Sequence, residues 1–140
     1  MDITGKLVVA VVTRHETRIW ATDAAKGEAP NVVETLPVGH KHDREAQHHG
    51  GHDSSKSDKP YYESISAALA GAGEILLIGH GHGKGNSMVQ LVQHLERHHS
   101  DVARKIVGAI DENIAAMSDG ELLAAARKWY DHRAHGLAGY

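Results

Sequence analysis

The chain contains no cysteine, so it can form neither disulfide bonds nor thiolate metal sites, and it has no cysteine nucleophile. Phenylalanine is also absent, and aromatic residues make up only 4% of the chain. The core must therefore be built from Val, Ile, Leu and Ala, with two tryptophans and four tyrosines as its few large pieces. The formal net charge is −3 with all 13 histidines neutral, so charge alone does not indicate a nucleic-acid-binding protein.

Long hydrophobic runs are missing as well. The apolar run Leu7–Val12 is too short for a signal peptide or a membrane span. A length of 140 residues is typical of one domain. We therefore expect a single module over residues 1–140, in the cytoplasm and without a membrane partner.

Three strands are predicted in the first part of the chain. Lys6–Thr13 is apolar and rich in β-branched residues, which is typical of a strand buried on both faces. Glu16–Thr22 alternates in polarity after a tight reversal and predicts the second strand of a hairpin. Asn31–Leu36 predicts a third strand.

Helices and strands alternate in the second part of the chain. Pro60 predicts the first turn of a helix, and Glu74–Gly79 is the strongest signal for a buried strand. Ser87–His99 has the apolar spacing of a helix, with His99 on its packed stripe and His94 in solvent.

The remaining part of the chain leaves one element open between helix and strand. Arg104–Asp111 fits either, and the return of the chain to a parallel sheet favours a strand. Ser118 and Glu121 form a capping box that starts the last helix, and the tail from His132 is expected to fray. The predicted order β-β-β-α-β-α-β-α indicates an α/β fold with a mixed sheet and helices packed on it.

The segment Gly39–Pro60 is the most unusual part of the sequence. It is polar and contains five histidines, so it cannot bury enough apolar surface to offset the entropy of ordering. We expect a long, mobile loop. Two interpretations of its histidines stay open: a solvated loop with weak, opportunistic metal affinity, or a specific metal site, for which the candidate ligands are His48, His49 and His52.

A glycine-rich turn follows the predicted strand Glu74–Gly79. Free backbone N–H groups at the start of the next helix favour an anion there, and the candidate residues are Gly81, Gly83, Lys84, Gly85 and Asn86. The alternative is a tight turn in which the glycines only let the chain bend. The turn is not a phosphate-binding P-loop, because the spacing GxxxxGK[ST] is absent.

The sequence gives little support to the hypothesis that the protein is a hydrolytic enzyme. The element order is that of a ribonuclease H-like sheet, but the first strand carries no carboxylate for two-metal chemistry. Glu16, Glu34 and Asp111 have no evident partnership. No GxSxG elbow is present either, so we predict no catalytic residues and no cofactor.

The pattern over about Lys6 to Tyr130 resembles the middle domain of archaeal and eukaryotic class 1 release factors and Pelota, and more closely the bacterial release-factor-like proteins. The resemblance is carried by the hairpin KLVVAVVTRHETRIWAT, the long polar loop with Gly50-Gly51, and the helix and strand in YYESISAALAGAGEILLIG. The stretch HGHGKGNSMVQLVQHLERHHSD and the strand RKIVGAID continue it. The resemblance implies a ribonuclease H-like fold without nuclease carboxylates.

In the release factors this loop holds a Gly-Gly-Gln motif that helps water to cleave peptidyl-tRNA. Here His52 follows Gly50-Gly51, and Gln47 lies before them, so the resemblance implies binding of the ribosome or tRNA without hydrolysis. Lys56 and Lys59 would add phosphate contacts. The loop residues expected to contact RNA are His40, Lys41, His42, Arg44, Gln47, His48, His49, Gly50, Gly51 and His52.

The sequence therefore leaves three functional hypotheses open. The leading one is a non-catalytic, translation-associated module, whose missing release-factor domains a separate protein subunit would supply. The second is a histidine-rich protein that binds Zn²⁺ or Ni²⁺. The third is a hydrolase in which a loop histidine acts as general base near the turn Gly81–Asn86.

Overall fold

Five strands and four helices make up the computed structural model of the protein, which describes residues 3–35, 54–80 and 87–134. The strands are β1 (Leu7–Val12), β2 (Glu16–Ala21), β3 (Asn31–Glu34), β4 (Glu74–Gly79) and β5 (Ile106–Asp111). The helices are α1 (Ser54–Leu69), α2 (Ser87–His98), the short α3 (Ser100–Ala103) and α4 (Asp119–Ala134), with a 3-10 turn at Ile114–Ala116. The mixed α/β architecture predicted from the sequence is confirmed.

The strands form one mixed sheet in the order β3-β2-β1-β4-β5. β1 pairs antiparallel with β2, placing Val9 opposite Trp20, and parallel with β4, placing Val9 opposite Leu76. β2 pairs antiparallel with β3, and β4 pairs parallel with β5. β1 and β4 therefore lie in the interior of the sheet, which explains why Leu7–Val12 and Ile75–Ile78 are continuously apolar rather than alternating.

The two faces of the sheet are covered by different helices. Val8 and Ala10 of β1 pack with α1 and α2, whereas Val9 and Val11 pack with α4. Each residue from Val8 to Val12 is at most 1% exposed. None of the helices in residues 54–80 and 87–134 combines the length and the apolar composition needed to cross a bilayer.

The strand predictions hold with small changes of boundary. β3 ends at Glu34, earlier than the predicted Leu36. Residues 104–111, which fit either a helix or a strand, form a strand from Ile106 to Asp111. The short helix α3 before it was not predicted from the sequence.

Two helix boundaries differ from the expectation. α1 begins at Ser54, so the prediction that it starts at Pro60 is wrong. Proline is favoured in a first turn. Inside a helix it removes one backbone donor and its ring crowds the carbonyl four residues earlier, which weakens or kinks the helix without always ending it. α4 reaches Ala134, so fraying from His132 is wrong for His132–Ala134, and the rest of that tail lies outside the described residues.

The capping box of α4 is confirmed. The backbone N–H of Ser118 donates to Glu121 Oε1 at 2.8 Å, and the backbone N–H of Glu121 donates to Ser118 Oγ at 3.1 Å. These reciprocal bonds satisfy two N–H groups at the start of the helix. They fix where α4 starts on its face of the sheet.

α4 approaches the sheet closely at Gly108 of β5. A Cβ atom at this position would lie 2.7 Å from Trp129 Cη2 and closer still to Cζ2. Both Trp129 and its neighbours on β5 belong to the core on this face. Glycine is therefore required here by space.

We expect Gly108→Ala to lower the free energy of unfolding by about 1–3 kcal/mol, because the indole must shift to admit the methyl group. The matched control is Gly120→Ala in α4, where the nearest atom to the new Cβ is Ser118 Oγ at 3.9 Å. It should be neutral or stabilising by up to about 1 kcal/mol. Urea unfolding measures both, and equal midpoints for Gly108→Ala and the parent protein would contradict the packing argument.

Candidate functional site

The rotation of α1 about its axis is fixed by Tyr61. Its hydroxyl donates to the backbone oxygen of Thr13 at 2.8 Å and lies 2.9 Å from Thr17 Oγ1. Tyr61 is only 2% exposed, and Ile65 and Leu69 follow it on the face that packs against the sheet. This contact directs Glu63 away from the sheet and toward α2.

α2 presents its apolar stripe to the same face of the sheet. Met88, Leu91 and Leu95 are buried there, and His94 is buried beside them. His99 follows the end of α2, and its backbone N–H donates to Leu95 O at 2.8 Å. Both histidines are thus held by well-packed backbone.

Glu63, His94 and His99 form one cluster between α1 and the end of α2. His94 Nε2 lies 2.7 Å from Glu63 Oε2, and His99 Nε2 lies 3.0 Å and 2.9 Å from the two carboxylate oxygens. The exposed fractions of the side chains are 8% for His94, 33% for His99 and 45% for Glu63. Two imidazoles from separate positions therefore aim the same ring nitrogen at one carboxylate.

The two histidines stabilise the charged form of the Glu63 carboxylate. The hydrogen bonds from His99 and then from His94 lower the pKa of Glu63, against a smaller opposing effect of desolvation. Glu63 is thus held in its charged form. A charged carboxylate facing two imidazoles can share protons with them or bind a cation.

His94 contradicts the expectation of a solvated side chain. The count of ~100° per residue does place His94 off the sheet-facing stripe of α2. That flank, however, faces Tyr62 and Glu63 of α1 rather than water. His99, predicted to pack on the stripe, is half-buried and makes polar contacts instead.

Glu63 was missed from the sequence altogether. It lies 31 positions from His94 and 36 from His99, so no local spacing signals the cluster. A carboxylate on α1 facing the interior flank of α2 could only be found once the packing of the two helices was known.

A groove runs beside the cluster along α1 and α2. Its volume is about 520 Å³, and its lining residues are Lys59, Tyr62, Val89, Gln90, Gln93, His94, Arg97 and His98. The Tyr62 hydroxyl donates to Gln90 Oε1 at 2.9 Å. Among the described residues that line the groove there are two fixed cations, two imidazoles and no carboxylate, so the groove favours an anionic partner.

A second pocket lies where β1 and β4 end. Its volume is about 420 Å³, and its lining residues are Val12, Thr13, Arg14, His15, His80, Ser87, Ile114 and Ala115. His80 Nδ1 donates to the backbone oxygen of Glu112 at 3.0 Å, which holds the ring at the pocket rim. The predicted anion-binding residues Gly81, Gly83, Lys84, Gly85 and Asn86 come directly after His80 and lie outside the described residues.

The other predicted residues are partly outside the described chain. The RNA-contacting and metal candidates from His40 to His52 belong to residues 36–53, which the structure does not describe. Of the acidic residues considered for nuclease chemistry, Glu16 and Glu34 lie opposite each other on β2 and β3. Asp111 ends β5, at the other edge of the sheet, so β1 and β4 separate it from that pair.

Comparison of the chain with protein-family models, with curated proteins and with solved structures finds no match.

We expect Glu63→Gln to destabilise the protein at about pH 7, because it removes the charge that His99 and His94 stabilise. A lowered pKa in the folded state adds stability that is present above the ordinary value of 4.5 and is lost as the pH falls through the folded-state value. The difference in melting temperature between parent and variant should accordingly shrink below pH 4.5.

Thermal unfolding in buffer with a chelator measures this difference. Glu96→Gln is the matched control, since Glu96 is an exposed acidic residue of α2. It should leave stability nearly unchanged at both pH values. A Glu63→Gln effect that is the same at all pH values would contradict the assignment of a lowered pKa.

Proposed function

We propose that the chain is a non-catalytic, RNA-binding module related to the release-factor middle domain, and that it engages the ribosome or tRNA. The observation that carries the proposal is the groove between α1 and α2, whose lining in the described part of the chain includes Lys59, Arg97 and His98 and no carboxylate. Phosphate oxygens are bound by such lysine, arginine and histidine side chains and by amides. Gln90 and Gln93 supply the amides.

The position of the groove supports its use with the histidine segment. Lys59 lines the groove, and it belongs both to α1 and to the end of the histidine segment Gly39–Pro60. The segment also carries Lys41, Arg44 and five histidines, which would add phosphate contacts. Four carboxylates offset the four lysine and arginine side chains of Gly39–Pro60, so only protonated histidines give the segment a net positive charge. Contacts of this kind to phosphates give binding without base-specific contacts.

The sheet supports the proposed fold relationship. Its strand order is β3-β2-β1-β4-β5, with an antiparallel hairpin leading into parallel strands, and this order is compatible with the proposed ribonuclease H-like fold. β1 carries only apolar residues, and Asp111 is remote from Glu16 and Glu34. Two-metal phosphodiester cleavage requires carboxylates that converge, which favours binding over nuclease activity.

We expect the purified protein to co-sediment with ribosomes, or to bind tRNA, at low salt and to be released as salt rises, because phosphate contacts displace counterions. Lys59→Ala with Arg97→Ala should weaken binding and reduce the slope of log affinity against log salt by about 1 for each cation removed. Fluorescence anisotropy with labelled tRNA measures the slope.

Lys128→Ala is the matched control, since Lys128 is an exposed cation of α4 on the opposite face of the sheet. It should leave affinity and slope unchanged. Absence of binding to both ribosomes and tRNA at low salt would refute the proposed function. Binding that is insensitive to the Lys59 and Arg97 substitutions would refute the role of the groove.

A further inference from the structure

The cluster of Glu63, His94 and His99 has the composition of a metal site. It offers two imidazole nitrogens and one carboxylate oxygen, and these ligand atoms all lie within 4.8 Å of one another. Two histidines and one glutamate are a common set of protein ligands for Zn²⁺, with a water molecule in the fourth position. Two nitrogen donors disfavour Ca²⁺ and Mg²⁺, which prefer oxygen ligands.

The two histidine–carboxylate distances in the cluster are close to those that a bound ion requires, and the ligand atoms of the two histidines lie within 4.8 Å of each other. Metal–ligand bonds of about 2.0–2.2 Å in a tetrahedron place neighbouring ligand atoms roughly 3.3 Å apart. The Nε2 atoms of His94 and His99 lie 2.7 Å and 2.9 Å from Glu63 Oε2. These pairs need to separate by a few tenths of an ångström, which the half-exposed Glu63 and His99 side chains can supply by small rotations.

The ligands are held on rigid elements, as a specific site requires. The imidazole of His94 lies between the rings of Tyr62 and His98, at centroid distances of 5.9 Å and 4.8 Å. α1, which carries Glu63, is fixed on the sheet by the buried Tyr61 hydroxyl. Weak binding by a solvated histidine segment lacks this preorganisation, so the two kinds of metal binding are distinguishable.

The cluster is open to solvent on one side, which leaves space for an ion and for a water molecule as its fourth ligand. His94 is buried on one side of the cluster, while Glu63 and His99 are 45% and 33% exposed on the other. An ion can therefore enter from the exposed side and replace the protons that the imidazoles share with the carboxylate.

We propose that Glu63, His94 and His99 bind one Zn²⁺ ion per chain, with water as the fourth ligand. The site is distinct from the histidine segment and does not depend on RNA binding. It would join α1 to the end of α2 through a metal bridge.

The test uses the full-length chain with His40, His42, His48, His49 and His52 replaced by alanine, which removes the histidines of the segment. Isothermal titration with ZnCl₂ should give one ion per chain. His99→Gln and Glu63→Gln, each in this background, should weaken Zn²⁺ binding by at least about tenfold, since each removes a direct ligand and even second-sphere changes cost that much. His132→Gln, on α4 at the opposite face, should leave the affinity unchanged.

A second measurement covers the case in which a variant fails to fold. Imidazole signals of the five-alanine protein are followed by NMR as one equivalent of Zn²⁺ is added. The proposal requires the signals of His94 and His99 to shift, while that of His132 stays in place. The absence of a one-to-one site in the five-alanine protein, unchanged His94 and His99 signals, or equal losses for His99→Gln and His132→Gln would each overturn it.

Discussion

The central strand β1 is buried on both faces and paired on both edges, and the rest of the molecule follows from covering it. Its residues Val8–Val12 are at most 1% exposed, and β4 beside it is equally apolar. Two-sided burial requires a helical layer on each face. α1 and α2 share one of these faces, so they must lie side by side, and side chains on their facing flanks contact one another. His94 is 8% exposed there, whereas Glu63 keeps 45% of its side chain exposed. Polar groups on such flanks need partners, because an unpaired buried polar group is costly. Glu63 and His94 meet on this seam.

Three consecutive residues of α1 show how the layer is held in register. Tyr61 bonds the backbone of Thr13 at the end of β1, Tyr62 donates to Gln90 of α2, and Glu63 accepts from the histidines at the end of α2. Successive side chains on a helix are turned by ~100°, so one turn of α1 contacts the sheet, one side of α2 and its C-terminal end. Tyr61 is the most deeply buried of the three side chains, and its contact sets the direction of the other two. The candidate site is thus a consequence of how α1 is seated on the hairpin.

Local patterns were sufficient to predict the elements but not the site. Strands β1 and β4 and the capping box at Ser118 each depend on residues that are close in sequence, and all three were predicted from the sequence. The assignment of His94 to solvent was wrong because periodicity distinguishes the sheet-facing stripe from everything else, and it does not separate a helix–helix flank from a free surface. The pairing of Glu63 with His99 spans 36 positions and has no local signature. Pro60 was misplaced for a related reason, since a preference for first turns is only a tendency.

The groove and the cluster share His94, and this has a thermodynamic consequence for the two proposals. A Zn²⁺ ion at the cluster would bring two positive charges to a carboxylate that otherwise contributes one negative charge at the edge of the groove. Phosphates in the groove would lie within roughly a Debye length of the ion, about 8 Å at physiological ionic strength, so the added charge would not be fully screened. If both ligands bind, each must therefore raise the affinity of the other by the same factor, because coupling between sites is reciprocal.

The substitution Glu63→Gln acts on the two sites in opposite directions, since it removes a metal ligand and at the same time removes a negative charge near the phosphates. A protein that binds RNA but not Zn²⁺ should thus gain affinity for RNA on this substitution, whereas one that uses the ion should gain in the presence of a chelator and lose when Zn²⁺ is supplied.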